Sequence, residues 1–327
     1  SGNNKYSSDN GVLFNKTGTI LIQYPFGNNA TSYKIPANVE SIGNNAFESA
    51  TKLETVTFEA GSQLDSIGQA AFNVAIKLKS ITIPASVTSI GPFAFQGATS
   101  LSKITFSEGS QLISIGEYAF QGASALTSVT IPASVTSIGA SAFDGAISLA
   151  TVTFDAVSQL ESIGAGAFAY ATSLTSITIP ATVTSIGAGA FNISGITDVL
   201  YNEDSTMLIY YPPSLEAVNF EIPATVTSIG ASAFDGAISL TEITFEAVSK
   251  LTSIGDQAFF GTLSLSSIII PATVTSIGAS AFYESGLTEA TINVDRLGDT
   301  TFPVALGTGQ SIGGKSVEEI IGYKVFR

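Results

Sequence analysis

The side chains that could carry out chemistry in this 327-residue chain are mainly carboxylates, hydroxyls and amides, because the sequence contains no Cys and no His. Their absence rules out thiolate metal sites, disulfides, Ser-His-Asp triads and Cys-His dyads. What remains is a pair of carboxylates acting as general acid and base on a glycan. The acidic residues recur with an internal repeat instead of converging, so the sequence predicts a protein that is not an enzyme, and a glycan-acting enzyme is the weakest alternative.

The charge distribution points away from nucleic acid and from a membrane span. The chain has 26 acidic and 12 basic residues and a net charge of −14, which would repel phosphate backbones. No apolar run approaches the ~20 residues that cross a bilayer. From Ile104 to Ser249 there are 13 acidic and no basic residues. Solubility explains this stretch most simply. An acidic surface that steers a basic partner, or that holds Ca²⁺ weakly, is the alternative. We expect no cofactor and no metal.

One repeat accounts for most of the chain. The string Ser-Ile-Gly-x-x-Ala-Phe recurs ten times, and its Phe residues are Phe47, Phe72, Phe95, Phe120, Phe143, Phe168, Phe191, Phe234, Phe259 and Phe282. The steps between them alternate between 25 and 23 residues, apart from a single step of 43. Short repeats carry Ile-Pro-Ala-x-Val, and long repeats carry Thr-Phe followed by Ser-Gln/Lys-Leu. Each step of 25 residues reflects two extra residues in the long repeat.

Each repeat has the pattern of two extended segments and a tight turn. Residues 126–131 alternate apolar and polar side chains, which predicts a half-buried strand that Pro132 ends. Residues 135–139 form a second, shorter extended piece, and Ala142-Phe143 suits a tight turn. A single repeat cannot bury its apolar side chains alone, so neighbouring repeats must stack, which places the Phe residues in one column.

The chain also contains a block duplication. Residues 12–60 and 199–247 align without a gap, and both segments begin with a predicted β-hairpin. The turns of the two hairpins are predicted at residues 16–19 and 203–206. The first hairpin caps the N-terminal end of the stack, and the second interrupts the stack or replaces one repeat.

The repeat resembles a known family. Its string Leu-x-x-Ile-x-Ile-Pro-x-x-Val-x-x-Ile-Gly-x-x-Ala-Phe is similar to the BspA-like leucine-rich repeats over roughly residues 32–290. Ser or Thr replaces the Asn of ordinary leucine-rich repeats, and Ala often stands where BspA-like repeats carry Cys, as at Ala146. The resemblance implies a secreted or surface-attached protein, often an adhesin. It does not identify a ligand, because the repeats specify the scaffold.

Together these patterns predict an α/β solenoid that is mostly β. It is a curved leucine-rich repeat stack with a parallel concave sheet and short turns or 3₁₀ pieces on the convex side. We expect a single solenoid domain over residues 1–327. Its parts are an N-terminal hairpin cap (1–31), a first repeat block (32–198), an inserted hairpin (199–221), a second block (222–290) and a C-terminal cap (291–327).

The first candidate binding surface is the outward face of the predicted strands. Hydroxyl side chains recur there and would form a weakly charged docking surface, the central residues being Thr105, Ser128, Thr130, Thr151, Thr153, Ser176 and Thr178. Thr is also a good exposed-strand residue that stacks well on itself, so a purely structural role stays open. Ice binding is a minor alternative, because a curved sheet would spoil the lattice match.

The second candidate is the inserted hairpin. Tyr201, Tyr210 and Tyr211 are ordinary core residues if the hairpin packs, and they become exposed anchors for a protein if it projects. The leading functional hypothesis is an extracellular or cell-surface binding module whose partner is a host or matrix protein, or a glycan. A structural spacer without a ligand of its own is the main alternative.

Overall fold

The computed structural model describes residues 4–287 and four short strands further along the chain, at Ile292–Val294, Val304–Ala305, Ser311–Ile312 and Lys315–Ser316. The rest of the predicted C-terminal cap lies outside the described residues. The chain divides into two compact units: Ser1–Ser185 with Ala190–Gly195, and Ile186–Gly189 with Ile196–Arg327. The division between the two units therefore lies within residues 185–196.

The first unit begins with three strands and continues with two strands per repeat. The three initial strands are β1 (Tyr6–Asp9), β2 (Val12–Asn15) and β3 (Ile20–Gln23). The long strands have four residues each: β4 (Ser32–Ile35), β6 (Thr55–Phe58), β8 (Ser80–Ile83), β10 (Lys103–Phe106), β12 (Ser128–Ile131) and β14 (Thr151–Phe154). The short strands are Ser-Ile pairs: β5 (Ser41–Ile42), β7 (Ser66–Ile67), β9 (Ser89–Ile90), β11 (Ser114–Ile115), β13 (Ser137–Ile138), β15 (Ser162–Ile163) and β16 (Ser185–Ile186).

The second unit follows the same plan. Its hairpin strands are β17 (Leu200–Tyr201) and β18 (Met207–Tyr210). The long strands are β19 (Asn219–Ile222), β21 (Glu242–Phe245), β23 (Ser267–Ile270) and β25 (Ile292–Val294). The short strands are β20 (Ser228–Ile229), β22 (Ser253–Ile254) and β24 (Ser276–Ile277). The remaining strands are β26 (Val304–Ala305), β27 (Ser311–Ile312) and β28 (Lys315–Ser316).

Long and short strands form separate sheets within each unit, and strands of neighbouring repeats pair in parallel, whereas the hairpin strands pair antiparallel. In the first unit the short strands continue from the hairpin in the order β1-β2-β3-β5-β7-β9-β11-β13-β15-β16, and the long strands form the sheets β10-β8-β6-β4 and β12-β14. In the second unit the sheets are β17-β18-β20-β22-β24 and β19-β21-β23-β25-β26. The predicted parallel sheet is therefore present, and the Ser-Ile segments add a second one.

The side chains of a long strand alternate as the sequence predicts. In β12 the apolar Val129 and Ile131 are buried, whereas Ser128 and Thr130 are exposed. The register pairs equivalent residues of neighbouring repeats, so that Ser128 lies beside Thr151. The second residue of each of these two strands thus faces the core, and the first and third face the surface.

Stacked Phe rings run through the core of each unit. Phe143 is fully buried, and its ring centroid lies 5.2 Å from that of Phe120 and 5.3 Å from that of Phe168. Tyr24 begins the column of the first unit by stacking on Phe47 at 5.1 Å. Rings at this spacing lie in the favourable range for aromatic pairs, so each one stabilises its neighbours.

The Ala-Phe segments are turns, and the predicted α/β class and 3₁₀ pieces are not confirmed: residues 4–287 contain only strands, turns and bends. The reason is that every second backbone N–H group of the segment donates its hydrogen bond to the next repeat. The Phe143 N–H donates to the Ala167 carbonyl of the next repeat at 2.8 Å instead of bonding within its own segment. Ser141 and Gly145, on either side, adopt φ values of +51° and +70°, which interrupt helical geometry.

The Gly of Ser-Ile-Gly permits neighbouring repeats to approach closely. A Cβ on Gly139 would lie 2.5 Å from the backbone nitrogen of Glu117 in the preceding repeat. Any side chain at this position would push the two backbones apart. The Gly recurs because of packing between repeats, and a left-handed backbone is not involved here.

Candidate functional site

The outward side of the long strands, called the strand face below, carries the predicted hydroxyl residues. Ser128 and Thr130 on β12, and Thr151 and Thr153 on β14, are all exposed. The Thr130 and Thr153 hydroxyl oxygens lie 2.9 Å apart and share a hydrogen bond across the two strands. The structure therefore brings these four residues together on one surface.

The other predicted hydroxyl residues occupy different surroundings. Thr105 on β10 is half-buried and lines a groove together with Ser128 and Thr130. Ser176 and Thr178 are exposed, but their segment is not a regular strand and has a single bridge residue at Ile179. The long-strand pairing that holds β12 beside β14 does not continue to this segment, so Ser176 and Thr178 lack the sheet register of the four central residues.

The hairpin at 199–213 packs against its unit, and this corrects the prediction of exposed anchors for two of its three Tyr residues. Strand β18 pairs in parallel with β20, so the hairpin forms the first layer of the short-strand sheet. Tyr211 is 1% exposed and stacks on Phe234 at 5.2 Å. Tyr210 is 5% exposed. Tyr201 is half-buried and packs against the same core. Tyr210 and Tyr211 therefore belong to the core, because the hairpin takes the place of a repeat.

Burial also changes the acidity of these phenols. Loss of solvent, with a smaller contribution from the negative charge of Asp235, raises the pKa of Tyr210 to about 12. Burial raises the pKa of Tyr201, with a smaller contribution from the carboxylate of Glu246. Both groups stay neutral at physiological pH, so neither supplies a charge or a base to a site.

Three grooves on the strand face were not predicted from the sequence. Each is formed by a long repeat, from its strand and the turn after it, and by the strand and Pro-Ala turn of the next short repeat. Their volumes are about 690, 620 and 560 Å³. Their lining residues lie within 55–107, 103–155 and 242–273, respectively. The same groove thus recurs at equivalent places in the two units.

The difference between long and short repeats explains these grooves. Phe58, the last residue of β6, is half-buried, whereas Ile83 at the same place on β8 is fully buried. The longer turn after Phe58 leaves the edge of the ring open to the groove. The alternation of 25 and 23 residues, with Thr-Phe in one repeat and Ile-Pro in the next, is the sequence signal that could have revealed the grooves.

An acidic side chain holds the turn beside two of the grooves. The Glu59 N–H donates to the Ile35 carbonyl at 3.0 Å, and the Glu59 carboxylate accepts a hydrogen bond from the Ala37 N–H at 3.1 Å. Glu246 makes the equivalent contact with the Ala224 N–H at 2.9 Å. These carboxylates recur because they hold each turn to the preceding short repeat. Within the described residues, no group of three or more acidic side chains is placed to hold a metal ion.

The sequence matches the model of one protein family along most of its length. The family is described as the BspA type leucine-rich repeat region (6 copies), and its model matches residues 22–114, 108–212 and 209–326. The chain belongs to the BspA-type leucine-rich repeat family. A comparison with curated proteins gives no match. In the described part of the chain, no helix combines the length and the apolar composition needed to cross a bilayer.

Solved structures of bacterial leucine-rich repeat proteins are similar to this BspA-type chain. The pneumococcal vaccine antigen PcpA is 23% identical, with a TM-score of 0.53 over 89% of this chain and 82% of its own. A leucine-rich cell surface protein from Faecalibacterium prausnitzii is 27% identical, with a TM-score of 0.44 over 90% of this chain and 95% of its own. A leucine-rich repeat protein from Bacteroides ovatus is 22% identical, with a TM-score of 0.41 over 86% and 83%. At 23% identity, the similarity to PcpA supports the fold.

Proposed function

We propose that this chain is an extracellular or cell-surface binding module that docks a host or matrix protein on its strand face. The recurring groove is the observation that carries the proposal. Each groove offers the edge of a half-buried Phe, such as Phe58 or Phe106, beside exposed hydroxyls, such as Thr82 or Thr130. Concave sites with apolar walls and a few polar groups are the usual form of ligand sites. The two grooves of the first unit adjoin each other at Ser107, which suits an extended partner.

Two further points support a surface role without catalysis. The relatives include a protein described as a cell surface protein and another described as a vaccine antigen, which accords with exposure to a host. The groove carboxylates Glu59 and Glu246 are engaged in holding turns, so their recurrence has a structural cause. Neither an acid–base pair nor a cofactor is required for the proposed role. A glycan remains the other ligand class that the hydroxyl surface could accept.

The test places large charged side chains in two grooves of the first unit. Thr82→Arg with Thr130→Arg would fill both grooves while leaving the inward-facing residues of β8 and β12 in place. A matched variant, Ile147→Arg with Thr172→Arg, changes two exposed residues on the turn side of the same unit. Both variants should keep the stability of the parent to within about 1 kcal/mol, as most surface substitutions do.

Binding is measured on arrays of extracellular matrix proteins and glycans. We expect the groove variant to lose at least tenfold in affinity for a partner that the turn-side variant still binds. Equal binding by both variants would place recognition elsewhere. Failure of the parent chain to bind any component would favour the structural spacer.

A further inference from the structure

The groove of the second unit differs from its counterpart in the first unit at solvent-facing positions. The grooves within 55–107 and 242–273 are related by the block duplication, and equivalent residues are 187 positions apart. Their floor residues are the same: Phe58 corresponds to Phe245, and Pro84 to Pro271. The exposed lining has changed as follows: Thr55 corresponds to Glu242, Gly61 to Val248 and Thr82 to Ile269. The fold accepts either set of lining residues, so folding alone does not require the residues of the 242–273 groove.

Two of the changes expose apolar surface. Val248 is 88% exposed, and Ile269 on β23 is 48% exposed. Val248 also has a φ of +62°, in the left-handed region where a β-branched side chain is strained, whereas Gly61 adopts +75° at the equivalent position. An exposed residue held in a strained conformation points to a role outside folding.

The first unit contains a partial copy of the 242–273 groove lining. Val157 has a φ of +59° and is 89% exposed, on the turn after β14. The positions that correspond there to Glu242 and Ile269 are held by Thr151 and Thr178. A strained Val therefore occurs twice at this turn position. In the 242–273 groove it is combined with a second exposed aliphatic side chain, Ile269, and with an additional carboxylate, Glu242.

The charge of the 242–273 groove is negative. Glu242 and Glu246 both line it, and its fourteen lining residues include no Lys or Arg. Glu221 is exposed on the neighbouring strand β19, where Asn219 lies opposite Glu242. Lys250 follows the lining segment by one residue and is exposed. A cationic ligand would therefore enter a negative field between apolar walls.

We propose that the 242–273 groove binds a cationic segment of a protein partner in which basic residues alternate with apolar ones. An apolar side chain of the segment would lie between Val248 and Ile269, over the edge of Phe245. A Lys or Arg beside it would pair with Glu242, and the Glu246 carboxylate would contribute its charge while it holds the turn. This inference rests on the proposed binding function and specifies the ligand chemistry of one groove.

The test uses three synthetic peptides and the full chain. The peptides are acetyl-Lys-Phe-Lys-Leu-Lys-amide, its acidic analogue with Glu in place of Lys, and a polar analogue with Ser in place of Phe and Leu. Binding is measured by fluorescence anisotropy at low and high salt. We expect the basic apolar peptide to bind at least tenfold more tightly than either analogue, and its affinity to fall with added salt.

The variants replace residues of the 242–273 groove with those found at the equivalent positions of the first unit's groove. Val248→Gly with Ile269→Thr, and separately Glu242→Thr, restore side chains that the first unit accepts at the same places, so the fold should be retained. Each variant should weaken binding of the basic apolar peptide at least fivefold. The matched control is Val157→Gly, which removes the same kind of exposed Val from the first unit and should leave binding unchanged.

Several outcomes would overturn the inference. These are absence of binding, equal binding of the three peptides, or equal binding by the parent and the groove variants. A concentration-dependent dimer that is lost with Ile269→Thr would identify a second copy of the chain as the occupant instead. If partner proteins still depend on Thr82 and Thr130 while the peptides fail, the inference about this groove falls and the proposed function survives.

Discussion

Truncation of a central ring in the Phe column should be among the most damaging single substitutions in the first unit. Phe143 is fully buried and stacks on two rings, Phe120 at 5.2 Å and Phe168 at 5.3 Å. Phe→Ala in a packed core costs about 3–5 kcal/mol. Aromatic pairs contribute about 0.5–1.5 kcal/mol each beyond area burial, and two pairs are lost. We therefore expect Phe143→Ala to lower the free energy of unfolding by an amount near the upper end, about 4–5 kcal/mol.

A matched aromatic truncation outside the column provides the comparison. Phe93 is half-buried and stacks on Tyr118 at 4.9 Å, so Phe93→Ala should cost only about 1 kcal/mol. Urea unfolding followed by circular dichroism measures both variants. Because each repeat contacts only its neighbours, unfolding can depart from two-state behaviour. Hydrogen exchange then shows where protection is lost.

Two results would refute this reasoning. A loss below about 0.5 kcal/mol for Phe143→Ala would be typical of a surface position and would mean that the column is not the core. Loss of amide protection spread evenly over the whole unit, instead of concentrated around residues 120–168, would contradict nearest-neighbour stacking.

Two further substitutions test other features of the stack. Gly139→Ala should destabilise the chain by about 1–3 kcal/mol, because its Cβ would lie 2.5 Å from the Glu117 backbone nitrogen. In Gly27→Ala the new Cβ meets nothing within 4 Å, so this variant should lose little stability. Thermal melts of both variants measure the difference, and equal losses of stability would contradict the close-approach argument. Tyr211→Phe should raise the melting temperature, because the buried Tyr211 hydroxyl has no hydrogen-bond partner among the described residues and such a group costs about 1–3 kcal/mol. A lower melting temperature would show that the hydroxyl is satisfied.

Much of the local structure follows from the sequence because it depends on periods within one repeat. Alternation at 128–131 identifies which side chains of β12 are buried, and the recurrence of Phe143 and its equivalents predicts the ring column. The two hairpins were also predicted with their turns at 16–19 and 203–206. These features need no knowledge of neighbouring repeats beyond the fact that they stack.

Other features depend on contacts between repeats. The sequence predicts a tight turn or a 3₁₀ piece around Phe143. A turn forms without 3₁₀ geometry because carbonyls of the next repeat accept hydrogen bonds from this segment, as the Ala167 carbonyl does from the Phe143 N–H. Sequence patterns left open whether Tyr210 and Tyr211 are exposed, and the pairing of β18 with β20 buries them.

The sequence by itself determined the repeat, its strands, the residues of each strand that face the core, and the resemblance to the BspA-like leucine-rich repeat family. Only the tertiary structure decided that the Ala-Phe turns form no 3₁₀ pieces, that the second hairpin forms the first layer of its sheet, and that grooves open beside Phe58, Phe106 and Phe245. The physical reason is the range of the interactions. Burial along a strand is encoded by neighbours in the sequence, whereas a groove arises where two repeats of different length meet, which requires their turns to be placed in space.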